Sequence, residues 1–192
     1  NYNTVVGDEA GTAITTGDAN TFYGYSAGVA TTTSSDNTAI GGAALATNIL
    51  ASSNTAVGKN ALYAHNVGSA ASTYNTAVGH HAGIAVTTGI QNTLIGGLAG
   101  DALTDSDKNV AVGYSALGTE VLGQFNVAIG RSALQAQSNG SAANVYNTAV
   151  GYNAGAAVTT GVQNTLIGGT SGDALTDADF NVAVGYNALS SD

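Results

Sequence analysis

Two groups of aspartates come closest to a metal site by residue type and spacing. They lie in the segments GDALTDSDKN and GDALTDADFN, which pair Asp105 with Asp107 and Asp177 with Asp179. The spacing Asp-x-Asp-x-Asn resembles the start of a calcium loop, because calcium prefers hard oxygen ligands. No glutamate follows at the distance that closes such a loop. We therefore expect solvated turns and no bound metal, with calcium as the alternative.

The histidines add little to the case for a metal. His80 and His81 are adjacent, and neighbouring residues of a strand point to opposite faces, so the pair is not expected to chelate one ion within a chain. The chain also repeats with a longer period of 72 residues, a cassette of four motif copies, and the equivalent residues in the next cassette are Tyr152 and Asn153. His65 lies in a long loop. The sequence predicts neither a metal nor a cofactor.

Four tyrosines are candidates for a binding surface. Tyr25, Tyr114, Tyr152 and Tyr186 each follow a glycine of a recurring motif, at a point where the residue type varies. Exposed tyrosine binds sugars or proteins at little entropic cost. A solvated strand face is an equally good interpretation.

Catalysis has no support in the sequence. The serines are scattered through turns without a recurrent histidine, whereas a nucleophile needs a base within hydrogen-bond reach. Paired carboxylates that hydrolyse glycosides need the two sides of a cleft. We expect no enzyme; a depolymerase built between fibre subunits is the alternative.

A repeat that runs through the chain must position all of these residues. The motif Asn-[Thr/Val]-apolar-[Val/Ile/Tyr]-Gly occurs eleven times, at intervals of 17 residues of which two are extended to 21. The extensions fall in small, polar stretches, 64–72 and 136–144, which are predicted to be loops. We expect the asparagines to form a structural ladder of stacked, hydrogen-bonded amides. They are Asn3, Asn20, Asn37, Asn54, Asn75, Asn92, Asn109, Asn126, Asn147, Asn164 and Asn181.

The repeat unit, which we call a coil and number 0 to 16 from its asparagine, predicts the fold. Glycine occupies position 4 in all eleven coils, which leaves no room for a useful helix. Two short strands per coil, at about positions 0–3 and 6–9, fit the pattern. We predict an all-β parallel β-solenoid of eleven 17-residue coils, two of them extended to 21. Residues 1–192 form a single array, interpreted as a fragment of a longer fibrous protein.

Position 2 of the coil is the basis of a prediction about partners. All eleven residues there are apolar, and in a strand they point away from positions 1 and 3. If positions 1 and 3 fill the interior, position 2 faces outward and needs a cover, since strands that are apolar on both faces are normally buried on both. The simplest cover is the same rod from another chain. The alternative is a wider coil whose own loop folds back over this face.

Several coils resemble a known family. The units NTAVGKNAL (54–62), NVAVGYSAL (109–117) and NVAIGRSAL (126–134) are similar to head repeats of YadA-type trimeric autotransporter adhesins and to arrays in phage tail-fibre-like proteins. The resemblance implies a left-handed parallel β-roll with three chains side by side. It also implies a fibrous surface adhesin or a receptor-binding fibre, whose target is a host-surface protein or glycan.

Composition limits the remaining possibilities. Lys and Arg total 3 against 12 Asp and Glu, so the chain lacks the basic face that nucleic-acid binding needs. Cysteine is absent, which excludes disulfides and thiolate metal sites. No run of about 18 apolar residues exists, so no membrane insertion is expected in this segment. The acidity suits solubility outside a cell, at a cell surface or on a virion fibre.

These observations predict an extracellular fibre segment that acts as a spacer and attachment surface. A purely structural, self-assembling filament is one alternative. An ice-binding solenoid is another, but it requires a flat array of exposed threonines. Threonine at position 1 shares its face with Val or Ile at position 3, which we expect to be buried.

Overall fold

A computed structural model describes residues 1–141 and 143–190 of the chain. Ala142, which belongs to the second predicted loop, and residues 191–192 lie outside this description. Within the described residues the chain is all-β, without helix, and forms a parallel solenoid of eleven coils. The predicted fold class is therefore confirmed.

Each coil contributes one strand, at positions 1 to 3, to a sheet of eleven parallel strands. Residues at the same coil position pair at every step, as Thr93 does with Val110 and Ile95 with Val112. Strands about 4.8 Å apart give a rod roughly 50 Å long. The strands of this sheet are β1 (Thr4–Val6), β2 (Thr21–Tyr23), β3 (Thr38–Ile40), β5 (Thr55–Val57), β7 (Thr76–Val78), β8 (Thr93–Ile95), β9 (Val110–Val112), β10 (Val127–Ile129), β11 (Thr148–Val150), β12 (Thr165–Ile167) and β13 (Val182–Val184).

The first 21-residue coil returns to the common register through a second, small sheet. Its two parallel strands are β4 (Ala51–Ser52), which ends the preceding coil, and β6 (Ala71–Ser72), which forms the end of the stretch predicted to be the first loop. In the second extended coil, an isolated parallel bridge joins Gln124 to Asn144 at the equivalent place. The four extra residues are thus absorbed between fixed anchors, and the following asparagine keeps its place in the stack.

A ladder of turns forms the second half of the coil, so the predicted strand at positions 6–9 is wrong. Residues at positions 6 and 8 adopt left-handed backbone conformations, as Ser115 (φ 51°) and Leu117 (φ 53°) do. Their N–H groups bond carbonyls of neighbouring coils, for example Leu117 N to Ala133 O at 3.0 Å. Alternating left-handed residues cannot form an extended strand, but they still join each coil to the next.

The two faces of the main strand are the reverse of the prediction. Position 2 points into the solenoid, where Phe22, Leu94 and Leu166 are completely buried. Positions 1 and 3 point outward, and Ile95 and Ile129 are among the exposed side chains. The apolar column assigned to a partner therefore fills the coil's own interior, and neither a sister rod nor a folded-back loop covers it.

Complementary side-chain sizes at positions 2 and 8 explain why this arrangement fills the core. A Cβ on Gly28 would lie 2.5 Å from the Phe22 ring, and one on Gly172 would lie 2.7 Å from Leu166 Cδ2. The coils with leucine at position 8 instead carry alanine at position 2, as Leu117 and Ala111 show. Nine coils hold the larger residue at one of the two places. Coils 5 and 9 have alanine and glycine there, and leucines of the neighbouring coils, such as Leu62 and Leu94 beside Gly83, fill the space.

Coils 3, 4, 7 and 8, which have leucine at position 8, also bury polar residues at position 11. In coil 7 this residue is Glu120, which is fully buried. Its Oε1 accepts hydrogen bonds from the N–H groups of Val121 (2.9 Å), Leu122 (3.0 Å) and Gly123 (2.8 Å). Backbone donors therefore solvate the carboxylate and shape the corner of the coil.

Candidate functional site

The asparagines at position 0 form an unbroken internal ladder. The side-chain Oδ1 of each one accepts the backbone N–H of the next, at 2.8 to 3.2 Å over all ten steps. In eight coils Nδ2 also bonds the carbonyl fourteen residues later, as Asn92 Nδ2 does with Ser106 O at 2.7 Å. Some neighbouring amides also bond directly, as Asn37 Nδ2 does with Asn20 Oδ1 at 3.2 Å. These side chains close and stack the coils and are not available to a ligand.

The aspartates at the calcium-like spacing bond separate parts of the preceding coil. Asp105 Oδ1 accepts the hydroxyls of Thr87 and Thr88 at 2.9 and 3.0 Å. Asp107 and Asp179 instead accept backbone N–H groups, from Ile90 and Val162 respectively, each at 2.8 Å.

In the second group, Asp177 Oδ1 accepts the hydroxyl of its neighbour Thr176 at 3.2 Å. Within residues 1–141 and 143–190, no three acidic or histidine side chains converge as metal ligands would. Asp105, Asp107 and Asp179 therefore join corners of neighbouring coils, whereas Asp177 bonds only within its own turn.

The histidine pair lies on the turn ladder, so the strand argument used against chelation does not apply to it. His80 and His81 stack with ring centroids 3.7 Å apart, and His81 Nε2 lies 3.2 Å from Asn60 Nδ2. Burial together with the nearby His80 and Lys59 lowers the pKa of His81. His65 is completely buried, and burial lowers its pKa to about 4.

The outward sheet face, by which we mean the side chains at positions 1 and 3, runs the full length of the rod. Position 1 is threonine in eight coils and valine in three, whereas position 3 is Val or Ile in ten coils and Tyr23 in one. Ile40, Ile95, Ile129 and Ile167 at position 3 are all exposed. The face is flat, uncharged and largely apolar, and contiguous patches of this kind mark interaction sites.

The four candidate tyrosines lie at position 5, just beyond the glycine corner of the strand. All four side chains, Tyr25, Tyr114, Tyr152 and Tyr186, are exposed. Arg131 occupies the same position in the coil between two of them. Its Cζ lies 6.0 Å from the Tyr114 ring centroid and 5.7 Å from that of Tyr152. These distances are within the range of cation–π attraction.

A second cation–aromatic cluster lies at the opposite end of the strands, at position 16. The ring centroids of Phe125 and Tyr146 are 5.0 Å apart, and Lys108 Nζ lies 4.9 Å from the Phe125 centroid. Sequence analysis missed both clusters because their members are 17 or 21 residues apart. The signal was present, since each cluster consists of residues at one coil position in successive coils.

Charge is distributed unevenly around the rod. All three cations, Lys59, Lys108 and Arg131, lie at positions 5 and 16, which flank the outward sheet face. Of the 12 acidic residues only Asp8 and Asp36 occupy these two positions, both near the N-terminal end. The side of the rod that carries the strands is therefore neutral to positive over most of its length, although the chain has a net charge of −9.

A search of the described ranges for a helix that could cross a bilayer found none. Comparisons of the chain with protein-family models, with curated proteins and with solved structures found no match.

Proposed function

We propose that this chain is a non-catalytic segment of an extracellular fibre, in which sister copies pack through the outward sheet face. The rod then serves as a spacer and as an attachment surface for a host-surface protein or glycan. The observation that carries the proposal is the continuous outward column of Val and Ile at position 3. Three copies, as the resemblance to adhesin heads implies, are the stoichiometry we favour.

The physical support is the cost of leaving this column in water. Burial of apolar surface yields about 25 cal/mol per Å², and the column repeats over the eleven strands of the sheet. A flat face of this kind matches a second copy by construction, because every coil has the same spacing. The charged residues lie elsewhere on the coil, so packing here buries few charges.

Ile95→Lys combined with Ile129→Lys is expected to convert the assembly to single chains of 18.7 kDa. Each substitution places an ammonium group in the centre of the proposed contact, where it is costly to desolvate. Light scattering coupled to size exclusion measures the mass. Val121→Lys is the matched control, because Val121 is 37% exposed against 38% for Ile129 but lies at a corner outside the sheet.

A wild-type mass of one chain at micromolar concentration would overturn the association. Circular dichroism shows whether the double variant keeps its fold. Binding of wild-type rods to arrays of glycans and matrix proteins tests the attachment function. A purely structural filament is expected to bind none of the arrayed ligands.

Ice binding is a second candidate function, because the structure turns the threonines of position 1 outward. They occupy six successive strands, from Thr4 to Thr93, about 4.8 Å apart. This candidate predicts thermal hysteresis that is lost in Thr76→Lys, whereas association through the same face predicts none. Measuring the freezing and melting points of wild type and variant decides between the two.

A further inference from the structure

We propose that Arg131, held between Tyr114 and Tyr152, binds the carboxylate of an acidic sugar in a glycan. This inference rests on the proposed attachment function and names the ligand chemistry of that surface. Position 5 lies beyond the glycine corner, outside the outward sheet face, so the site stays accessible when sister copies pack.

The guanidinium of Arg131 is positioned but its donors are mostly unused. Nη1 donates to the Tyr152 hydroxyl at 3.3 Å, and the two rings hold the group from neighbouring coils. Arginine carries five N–H donors, and among the described residues no acidic side chain pairs with this one. The remaining donors form the planar fork that recognises a carboxylate in bidentate fashion.

Charge complementarity selects an anionic ligand. From Thr38 onward no acidic residue occupies position 1, 3, 5 or 16, whereas all three cations lie at positions 5 and 16. Charges on other sides of the rod are attenuated, because the screening length is about 8 Å at physiological salt. The local field at Arg131 is therefore positive despite the acidity of the whole chain.

The flanking tyrosines favour a sugar over an acidic peptide. Tyr114 and Tyr152 are each 53% exposed and lie two coils apart, about 9.6 Å along the rod. One coil step is close to the length of a pyranose ring, so a sugar whose carboxylate meets Arg131 extends over one tyrosine. Tyrosine presents both an apolar ring and a hydroxyl at low entropic cost. A flexible acidic peptide gains the ion pair alone.

The chain contains a matched position without these features. Lys59 is the counterpart of Arg131 in the preceding cassette, and its neighbours at position 5 are Gly42 and His80. It has the same formal charge but neither a guanidinium fork nor tyrosines on both sides. Comparing the two positions separates a built site from simple positive charge.

Titration of the full chain with sialyllactose, whose terminal sugar carries a carboxylate, tests the site; lactose is the uncharged control. We expect a dissociation constant on the order of 1 mM for sialyllactose and none measurable for lactose. Arg131→Gln is expected to weaken binding about tenfold or more, the loss typical of a charged hydrogen bond. Lys59→Gln is expected to bind as wild type does.

Three outcomes would each overturn the site: wild type does not bind sialyllactose, lactose binds equally well, or Arg131→Gln binds as wild type does. Hexaglutamate that binds as tightly as sialyllactose would also overturn it, in favour of an acidic protein. Arg131→Lys keeps the charge and loses the fork, so it should resemble Arg131→Gln. Light scattering on the same variants should show the wild-type mass, which distinguishes failure of this site from failure of chain association.

Discussion

Gly113→Ala is expected to destabilise the solenoid by about 4 kcal/mol, because it combines backbone strain with a steric clash. Gly113 has φ of +136°, and a Cβ there would lie 2.5 Å from the carbonyl oxygen of Gly130 and 2.6 Å from its carbon. The obstacle is backbone, which cannot rotate away. Coils 7 and 8 must move apart, and the hydrogen bonds that join them lengthen together.

Two controls separate the causes of the Gly113 effect. Gly185 has φ of +131°, but its closest contact is Ala188 Cβ at 3.9 Å, so Gly185→Ala carries strain without the clash. Gly42 has no atom within 4 Å of its added Cβ, and Gly42→Ala is expected to be neutral. Denaturant unfolding followed by circular dichroism measures all three. A Gly113→Ala midpoint equal to that of Gly42→Ala would show that close coil spacing is not required.

Acidification is expected to remove about 3 kcal/mol of stability between pH 7.5 and pH 4 through His65 alone. Burial lowers the pKa of this imidazole from 6.5 to about 4, and the opposing effect of the Thr87 backbone is smaller. In the unfolded chain His65 binds a proton below pH 6.5, whereas in the folded chain it stays neutral down to about pH 4. Stability is complete above pH 6.5 and is lost as the pH falls through this window.

The geometry around His65 explains why its pKa is lowered. His65 Nε2 lies 3.0 Å from Thr73 Oγ1 and 3.4 Å from the donor Asn75 Nδ2, and the Thr73 hydroxyl donates to Asn54 Oδ1 at 2.8 Å. Nδ1 is buried without a hydrogen-bond partner. A protonated ring would therefore carry its charge at a buried site where one N–H has no hydrogen bond.

His65→Gln is the appropriate variant, because Gln137 occupies the equivalent place in the second long coil. The difference in stability between wild type and variant isolates the effect of His65, because the two proteins share every other ionisable group. Denaturant midpoints at half-unit pH steps should diverge below pH 6.5. If the midpoints of the two proteins changed in parallel with pH, the lowered pKa of His65 would be refuted.

The sequence was sufficient to predict the coil count, the solenoid class and the places of the two insertions. These follow from the spacing of Asn3 to Asn181, which needs no knowledge of side-chain direction. Strand alternation was also right, but alternation specifies only that positions 1 and 3 oppose position 2. It does not specify which set lies inside, and the prediction assigned Val and Ile at position 3 to the core.

Two features of the sequence favour the correct orientation in hindsight. Positions 0 and 2 share a face, so an internal asparagine ladder requires Leu94 or Ala111 to point inward as well. Side-chain sizes at positions 2 and 8 are also complementary: Phe22 occurs with Gly28, and Ala39 occurs with Leu45. This pattern requires the two positions to meet in one interior. The turn ladder was harder to predict, since leucine at position 8 adopts a left-handed conformation that it rarely occupies.

The candidate binding residues were predictable only as a column. Tyr114 and Tyr152 were identified from their position, but the packing of Arg131 between them depends on side-chain geometry across successive coils. Glu120 was missed because a single acidic residue in a polar stretch of sequence is expected to be exposed to solvent. Only its four backbone donors, three in its own coil and Asn139 N of the next, show why it lies inside.

The hydrogen bonds between coils all run along the axis of the rod, and this has a mechanical consequence. A tensile load on the two ends acts on these bonds in series, so coils peel from an end one at a time while the others keep their interior. Each released coil of 17 residues extends to roughly 55 Å, against about 4.8 Å when folded. A tether built in this way yields stepwise and dissipates a sudden pull before its anchorage breaks.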